Sequence, residues 1–403
     1  MSGRSAGIVG LVAVLGWAGL IWLGVTLYGT TPRTAAFDLE LLLGAGRAVA
    51  AGHSPYDPAI VAGAAPVAER LFYSYPPVVA QLMAIVASIP AAVMFVGWTA
   101  AAVGGLGLLA RSLANRFGSS VSPNVAALTT VALAPLVFPF AIGLLFGNLD
   151  VFFPVAFGVL LLGVVPPASP AAVAGTSTSL AAIAKLHPAS LGLWLVARAG
   201  PSREARRVLF AAVVAGLAVV GVSLLVGGPQ PWIDYAAVVR AGSGADLVDP
   251  RNAGPAAQIA LLLGGGGSGA ESLARTIQIP VTLAALALTV VAAVRVADPV
   301  ESLAWAVALS LVVLPVTWYH YPAALIPFAL VAVLRSTSDR ATDRATARRV
   351  RWTVLASASV ASIAIGWLPL LYLAVGLVLA AVRMSRPAPA PVPAMTTLPA
   401  GAP

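Results

Sequence analysis

Long apolar runs, separated by short polar, proline- or glycine-containing breaks, follow one another along this chain. A helix needs about 20 apolar residues to cross a bilayer, and the longest runs reach that length. The pattern predicts an all-α integral membrane protein, with about twelve transmembrane helices in a single domain over residues 1–384. The apolar runs fall at residues 7–29, 76–89, 91–110, 124–141, 150–166, 169–197, 207–227, 274–296, 302–317, 321–335, 352–367 and 368–384.

Composition agrees with a membrane location. Of the 403 residues, 60% are hydrophobic and 9% are charged, against roughly 25% charged residues in soluble domains. The chain has no cysteine, which excludes disulfides and thiolate metal sites. Residues 385–403 are rich in proline and alanine, so we expect a disordered tail.

Arginine supplies nearly all of the basic charge: the net charge of +9 comes from 22 arginines and one lysine, Lys185. Cytoplasmic loops of membrane proteins collect such residues. With the N-terminus inside, the cytoplasm receives residues 198–206, 295–301 and 335–351 together with Arg383 and Arg386. Arg111 and Arg116 fall outside in this count, an exception that a miscounted short helix near 76–89 or 142–149 would remove. The charge therefore predicts topology rather than nucleic-acid binding.

Three non-helical stretches lie outside in the same count, at residues 30–75, 228–273 and the WYHY of 318–321. Long loops in a compact protein are usually functional. Within the first, apolar positions from Asp38 to Ala51 predict one short amphipathic helix along the membrane surface. The two long stretches hold eight of the fourteen carboxylates: Asp38, Glu40, Asp57, Glu69, Asp234, Asp246, Asp249 and Glu271.

Asp38 stands at the start of that amphipathic helix, and two interpretations fit it. A carboxylate there can cap the helix by accepting from its first N–H groups. It can also serve as a general base, because it stays ionised at neutral pH. Asp57, between prolines in SPYDP, is first of all a turn residue.

Lys185 and His187 lie deep in the run at 169–197. Charges inside a membrane are costly and usually face a cavity or a partner, so anion or substrate binding is the first hypothesis. The alternative is that Lys185 extends to the cytoplasmic face. Asn148 and Asp150 in GNLD read as helix-capping residues.

Aromatic and basic residues outside the spans complete the candidates. Tyr73 and Tyr75 in FYSYPP suit an interfacial belt or a sugar platform. His320 is either interfacial or a donor to a phosphate or hydroxyl. Arg251 suits bidentate phosphate contact. The chain contains no Walker A motif, HExxH motif or nucleophile elbow, so soluble nucleotide chemistry has no visible site.

Taken in order, FDL with GAGRAVAAGHSPYDP, then FYSYPP, GN, AKLHP, a long external loop and WYHYP resemble the glycosyltransferase 87 family. These are polyprenyl-phosphate-sugar-dependent enzymes of the GT-C class, and the resemblance runs from about residue 7 to 335. The chain departs from the family pattern at Arg251-Asn252-Ala253-Gly254, where Asn-Gln-Ser is expected. It departs again at Gly147-Asn148, because the family pattern has Gly-Gln before this Asn.

The resemblance implies a GT-C-like helical bundle whose first-loop aspartate, Asp38, is catalytic. It further implies inverting, α-1,2 transfer of mannose from mannosyl-phospho-polyprenol to a phosphatidylinositol mannoside or related lipoglycan. The most similar members convert a tetra-mannoside lipid to a penta-mannoside. The active site would lie at the external face of the plasma membrane. No cofactor is required, and metal dependence stays open.

Roles for the remaining candidates follow from what such a transfer needs. The departing phosphate needs cations or donors, for which we expect His320, Arg251, Lys185 and His187. Contacts to acceptor or sugar are expected from Asp57, Tyr73, Tyr75, Asn148, Trp318 and Tyr319. We expect a monomer whose partners are the donor, the acceptor and membrane lipids, with no nucleic acid. Two alternatives stay open: an arabinofuranosyltransferase of the same family, and a lipid-linked sugar transporter or flippase.

Overall fold

A computed structural model describes residues 3–30, 35–63, 72–118, 121–166, 169–242, 246–264 and 267–336, with residue 345. Over these residues the chain is helical and contains no strand. The helices are α1 Gly3–Thr30, α2 Phe37–Ala50, α3 Pro58–Val61, α4 Pro77–Ile85, α5 Ala91–Phe117, α6 Pro123–Leu133, α7 Phe138–Phe146, α8 Phe153–Val164, α9 Ala171–Ala184, α10 Ser190–Ala199, α11 Arg203–Gly227, α12 Gln230–Gly242, α13 Pro255–Gly264, α14 Ser268–Arg295, α15 Pro299–Ser310 and α16 Ile326–Ser336.

Four of the described helices are long and apolar enough to cross a membrane: α1, α5, α11 and α14. A fifth span results if α6 and α7, which meet at an angle of 73°, are counted as one. The chain is therefore a helical membrane protein. The twelve-helix count stays a prediction, and its runs at 352–367 and 368–384, like the tail at 385–403, lie outside the described residues.

The apolar run at 76–89 does not form a spanning helix. Its helical part, α4, has nine residues, a length of about 14 Å at 1.5 Å per residue. The hydrocarbon core of a bilayer is about 30 Å thick. Treating this run as a membrane crossing was therefore wrong.

The helix bundle has two distinct ends. Near the start of α5, Trp98 Nε1 donates to the Asn148 carbonyl at 3.4 Å. At the other end of α5, the Arg335 guanidinium lies over the Phe117 ring at 5.2 Å. Arg335 also pairs with Asp298 at 2.9 Å.

Arg198 belongs to the same end, because it donates to three carbonyls at the close of α14, including Ala297 O at 2.8 Å. We call this end, marked by Arg116, Arg198 and Arg335, the arginine end. Arg111 and Arg116 thus lie toward the same end as Arg198 and Arg335. Placing them opposite the other arginines was wrong, because the run at 169–197, which lies between them and Arg198, forms the two helices α9 and α10 rather than one crossing.

The run at 169–197 is two helices rather than one. Helix α9 stops at Ala184, Lys185 is extended with φ −150° and ψ 143°, and a 3₁₀ turn at His187–Ala189 leads into α10. Proline removes a backbone donor and disfavours helical geometry in the residue before it, so Pro188 accounts for the break. The break places Lys185 and His187 at a helix junction instead of a helix interior.

The segment 228–273 is not the non-helical loop expected from sequence. It contains α12 and α13, and α14 begins within it. The Asp234 carboxylate on α12 accepts hydrogen bonds from Ser54 Oγ at 3.0 Å and Gln230 Nε2 at 2.8 Å. The bond from Ser54 ties α12 to the segment that follows α2, whereas the bond from Gln230 lies within α12.

Candidate active site

Asp38 is the second residue of α2, and it does not cap the helix. The cap position is Ala36, in the left-handed region with φ 58°, and no side chain caps the helix. The Ala36 N–H donates to Leu145 O at 2.7 Å, which fixes the start of α2 against the end of α7. The capping interpretation of Asp38 was therefore wrong. Its carboxylate instead accepts a hydrogen bond from Asn148 Nδ2 at 2.5 Å.

Gly147 brings Asn148 to this position. It ends α7 with φ 68°, a conformation that glycine adopts without steric cost. A Cβ at Gly147 would lie 2.6 Å from Leu39 Cβ, so only glycine allows α2 to approach this closely. Asn148 caps the next 3₁₀ turn by accepting from Asp150 N at 2.9 Å, as expected from sequence, while its amide NH₂ faces Asp38.

Asp150 is fully buried and holds Lys185. Lys185 Nζ lies 2.9 and 2.8 Å from the two carboxylate oxygens. His320 Nε2 lies 3.2 Å from Asp150 Oδ2, within ion-pair distance but without hydrogen-bond alignment. We call Asp38, Asn148, Asp150, Lys185 and His320 the Asp38 cluster.

Lys185 does not extend to the arginine end. Its ammonium lies 4.2 Å from the centre of the Tyr321 ring and 6.0 Å from that of Tyr75, and its side chain is 13% exposed. The alternative that Lys185 only reaches for the cytoplasmic face was wrong, because Asp150 and the two rings hold it inside the protein.

His187 adds a second imidazole beside the cluster. It is fully buried, and neither ring nitrogen has a hydrogen-bond partner within the described structure. Its ring stacks on Tyr321 with centroids 5.1 Å apart and meets Phe153 edge-on. Both nitrogens of His320 are also without a hydrogen bond there. Buried polar atoms usually have partners, so these imidazoles mark a place suited to a polar ligand.

Burial raises the pKa of the Asp38 carboxyl above its ordinary value, and the nearby His320 acts in the opposite direction. Removal from water disfavours the charged form and so makes the carboxylate a better proton acceptor. Asn148 donates only to Oδ2 of Asp38, so the other carboxylate oxygen, Oδ1, receives no hydrogen bond from Asn148. The arrangement suits a general base.

Two of the aromatic candidates, Tyr73 and Tyr75, lie next to each other on the Lys185 side of the Asp38 cluster. Tyr75 lies beside Lys185, and its ring centre is 5.8 Å from that of Tyr73. Tyr73 donates through its hydroxyl to Pro76 O at 2.9 Å, which fixes the entry into α4.

Asp57 caps α3 by accepting from Ala59 N at 2.9 Å, consistent with its interpretation as a turn residue.

Arg251 makes its contacts with neighbours outside the Asp38 cluster. Its guanidinium pairs with the Asp249 carboxylate at 2.5 Å and lies 5.8 Å from the Trp318 ring, and its side chain is 67% exposed. This pair lowers the pKa of Asp249. Tyr319 lies nearby, with its ring centre 6.3 Å from that of Phe138. Within the described residues, the side chains of Arg251 and Tyr319 thus make their contacts with Asp249, Trp318 and Phe138 rather than with side chains of the Asp38 cluster.

Two residues matter more than their sequence context indicated. The sequence around Asp150 predicts a helix-capping residue, yet Asp150 is the carboxylate that joins Lys185 and His320. Its position at the start of an apolar run was the signal, because intramembrane charges need partners.

The other is Asn252, which is fully buried. Its amide donates to Pro315 O at 2.9 Å, and its carbonyl accepts from Gly254 N and Thr317 N. It therefore fixes the segment that leads to His320.

The described residues contain no group of three or more histidine, aspartate or glutamate side chains placed to hold a metal ion. The chemistry that these residues themselves offer is a buried base beside a largely buried cation and two imidazoles.

Residues 73–317 match the model of glycosyltransferase family 87. No curated protein and no solved structure shows significant similarity to the chain. The match covers more than half of the chain and includes every member of the Asp38 cluster except Asp38 and His320. A glycosyltransferase of this kind uses a lipid-linked donor and acceptor, in keeping with the candidate membrane spans of the chain. The chain belongs to glycosyltransferase family 87 and is a membrane-bound glycosyltransferase.

Proposed function

We propose that the protein is a polyprenol-phosphate-mannose-dependent α-1,2-mannosyltransferase that elongates a phosphatidylinositol mannoside or related lipoglycan by inverting transfer. The single observation that supports this best is the Asp38 cluster, which combines the buried Asp38 carboxylate with the Asp150–Lys185 ion pair in a family 87 chain. The proposal keeps a bundle of about twelve membrane helices, in which α4 is not counted and α9 and α10 replace the single helix predicted at 169–197. It also keeps a single domain, a monomer and the site at the external face of the plasma membrane.

Asp38 is the base in this scheme. The acceptor hydroxyl attacks the anomeric carbon of the donor, its proton passes to the Asp38 carboxylate, and the bond between that carbon and the phosphate oxygen breaks. Attack from the face opposite the phosphate inverts the configuration. Asn148 holds the carboxylate in place through its 2.5 Å hydrogen bond. A positioned base typically contributes about 10²–10⁴ to the rate.

Lys185 and His320 stabilise the departing phosphate. Preorganised donors cost no rearrangement when negative charge develops. The Asp150 carboxylate fixes both groups, at 2.8 Å from Lys185 and 3.2 Å from His320. The nitrogens of His320 and His187 that lack partners in the described structure supply further contacts to phosphate or sugar. Arg251, which pairs with Asp249, is not required in this scheme.

The aromatic residues suit the sugar. The Tyr75 ring lies beside the Lys185 ammonium, and the Tyr73 ring packs against that of Tyr75. Aromatic faces offer apolar surface to the carbon skeleton of a sugar. Trp318 precedes His320 and lies beside Arg251, near where an acceptor headgroup would approach.

The test uses purified protein in detergent. Polyprenyl-phosphate-mannose and a tetra-mannosylated phosphatidylinositol acceptor should yield the penta-mannoside, whereas GDP-mannose should yield nothing. Product from polyprenyl-phosphate-arabinofuranose alone would move the assignment to the arabinosyl branch of the family. Movement of donor lipid across vesicle membranes without any glycosidic product would replace the enzyme by a transporter.

A further inference from the structure

A groove with a basic end lies between α9 and α11, away from the Asp38 cluster. Its volume is about 860 Å³. Alanine and other apolar side chains form its walls, among them Ala172, Phe210 and Val214. Arg203, Arg206 and Arg207, all exposed, line one end of it.

The two helices run parallel and very close together. A Cβ at Gly175 would lie 2.5 Å from Ala212 N, and Ser179 Oγ donates to Ala212 O. Gly216 in turn packs against Ser179. Small residues allow such close approach between membrane helices. On this register, Lys185 is level with about residue 220, so Arg206 lies roughly 20 Å farther along the axis.

The residues of the groove follow one face of α11. Residues three and four apart on a helix share a face. Arg203, Arg206 and Arg207 are followed on that face by Phe210, Val214 and Ala218, all of which line the groove. The apolar part from Arg207 to Ala218 extends about 16 Å, close to half of the ~30 Å hydrocarbon core.

The charges oppose what helix stability alone favours. The N-terminal end of a helix carries partial positive charge, so cations in its first turn are disfavoured. Two arginines nevertheless fall within the first four residues of α11, which Ser202 caps. The preference of cytoplasmic loops for arginine explains positive charge in this loop. It does not require an open apolar groove directly beside the charges, whereas a bound anion with an apolar tail matches both.

We propose that this groove binds an anionic membrane phospholipid, with its phosphate against Arg203, Arg206 and Arg207 and one acyl chain along the α9–α11 face. Basic pockets between transmembrane helices recognise anionic headgroups in this way. The length of the apolar face corresponds to one leaflet. The site serves a structural lipid and is separate from the transfer chemistry, so the proposal stands independently of the donor and acceptor assigned above.

The test is native mass spectrometry of the full chain, titrated with dioleoyl-phosphatidylglycerol or dioleoyl-phosphatidylcholine. Wild type should retain phosphatidylglycerol preferentially. The triple variant Arg203→Gln, Arg206→Gln, Arg207→Gln should bind it roughly 100-fold more weakly. The matched control, Arg111→Gln, Arg275→Gln, Arg295→Gln, removes equal charge from exposed positions elsewhere and should bind like wild type.

A second variant keeps all three charges. Ala215→Trp should obstruct the groove and lose the preference, because Ala215 lines the wall. Thermal unfolding of each variant confirms that it is folded. Unchanged binding by the Arg203 triple variant overturns the proposal, as does an equal loss in the matched control. Displacement of the lipid by chain-free glycerophosphoglycerol at equal concentration also overturns it, because the site would then bind a free phosphate ester.

Discussion

Asp38 makes its main contact with a side chain far away in sequence, and this decides how its substitution should behave. Asn148 Nδ2 donates to Asp38 Oδ2. An asparagine at position 38 keeps an oxygen that accepts this bond but cannot take a proton from an acceptor. Substitution by asparagine can therefore separate the structural contact of Asp38 from its chemical function.

We expect Asp38→Asn to fold like wild type and to lose about 10²–10⁴ of the transfer rate, the usual contribution of a general base. Product per folded enzyme and thermal stability are measured together. Asp57→Asn is the matched control, because it makes the same change at a residue that caps α3, and asparagine caps about as well as aspartate. Near-normal transfer by Asp38→Asn would remove the base from Asp38.

The raised pKa of Asp38 predicts an acidic limb in the pH profile. Burial raises the pKa, and a base works only when deprotonated. The rate is therefore full above the raised pKa and is lost as the pH falls through it, at a pH above the ordinary carboxyl value of about 3.9. The measurement is kcat/KM for the donor as a function of pH, at a saturating concentration of acceptor. A rate that stays flat down to the ordinary carboxyl range would contradict this assignment.

Asp150 and Lys185 form a buried pair, so their single and double substitutions should differ in kind. Removing one partner of such a pair leaves an uncompensated charge, at a cost of about 3–5 kcal/mol. Asp150→Asn and Lys185→Met should each lower the melting temperature strongly. The double variant should recover stability without recovering transfer, because the phosphate contact is gone. Recovery of both would make the pair purely structural.

At the scale of elements, the site depends on how closely α2 approaches the end of α7. Gly147 allows this approach, through its φ of 68° and the absence of a Cβ that would lie 2.6 Å from Leu39 Cβ. Gly52 offers a comparison, since its φ is 78° and nothing lies within 4 Å of its would-be Cβ. The two glycines share the backbone conformation and differ in the available space.

We expect Gly147→Ala to displace α2 from Asn148, lowering both stability and transfer. Gly52→Ala should cost only the backbone term of about 1 kcal/mol and keep its activity. Melting temperature and turnover of both variants check this. Equal effects from the two substitutions would mean that the contact with Leu39 does not matter.

The apolar pattern predicted helices more reliably than it predicted crossings. The long runs correspond to α1, α5, α11 and α14. The prediction of a membrane crossing was wrong at α4, because hydrophobicity indicates burial but does not indicate where a nine-residue helix ends. The break at Lys185 was readable from Pro188, which follows it by three residues.

Contacts within the site could be predicted only in part. Asp38, Lys185 and His320 were recognised from their residue types and setting. Asp150 was not, because its contact with Lys185 joins positions 35 residues apart and leaves no local periodicity. Arg251 was assigned to phosphate from its chemistry, yet Asp249 two residues earlier offers a nearer partner. Local sequence shows which groups can act, and packing decides which ones meet.

At the scale of the whole molecule, two corrections make the two ends chemically consistent: α4 does not cross the membrane, and residues 169–197 form the two helices α9 and α10. Asp38, Asn148, Asp150, Lys185 and His320 meet at one end. Arg116 lies toward the other end, where Arg198 and Arg335 make their contacts. The preference of cytoplasmic loops for arginine then applies to all of these arginines without exception, and it predicts that the Asp38 cluster faces outward.

This topology can be tested with single cysteines, because the chain has none of its own. His53→Cys, Ser122→Cys and Pro201→Cys are all at exposed positions. In intact cells, we expect a membrane-impermeant maleimide to label position 53 and to leave 122 and 201 protected until the membrane is permeabilised. Position 122 discriminates most sharply, because it follows α5 and would lie outside if residues 76–89 crossed the membrane. Labelling of 122 in intact cells would restore that crossing, whereas labelling of 201 with protection of 53 would invert the whole molecule and place Asp38 in the cytoplasm.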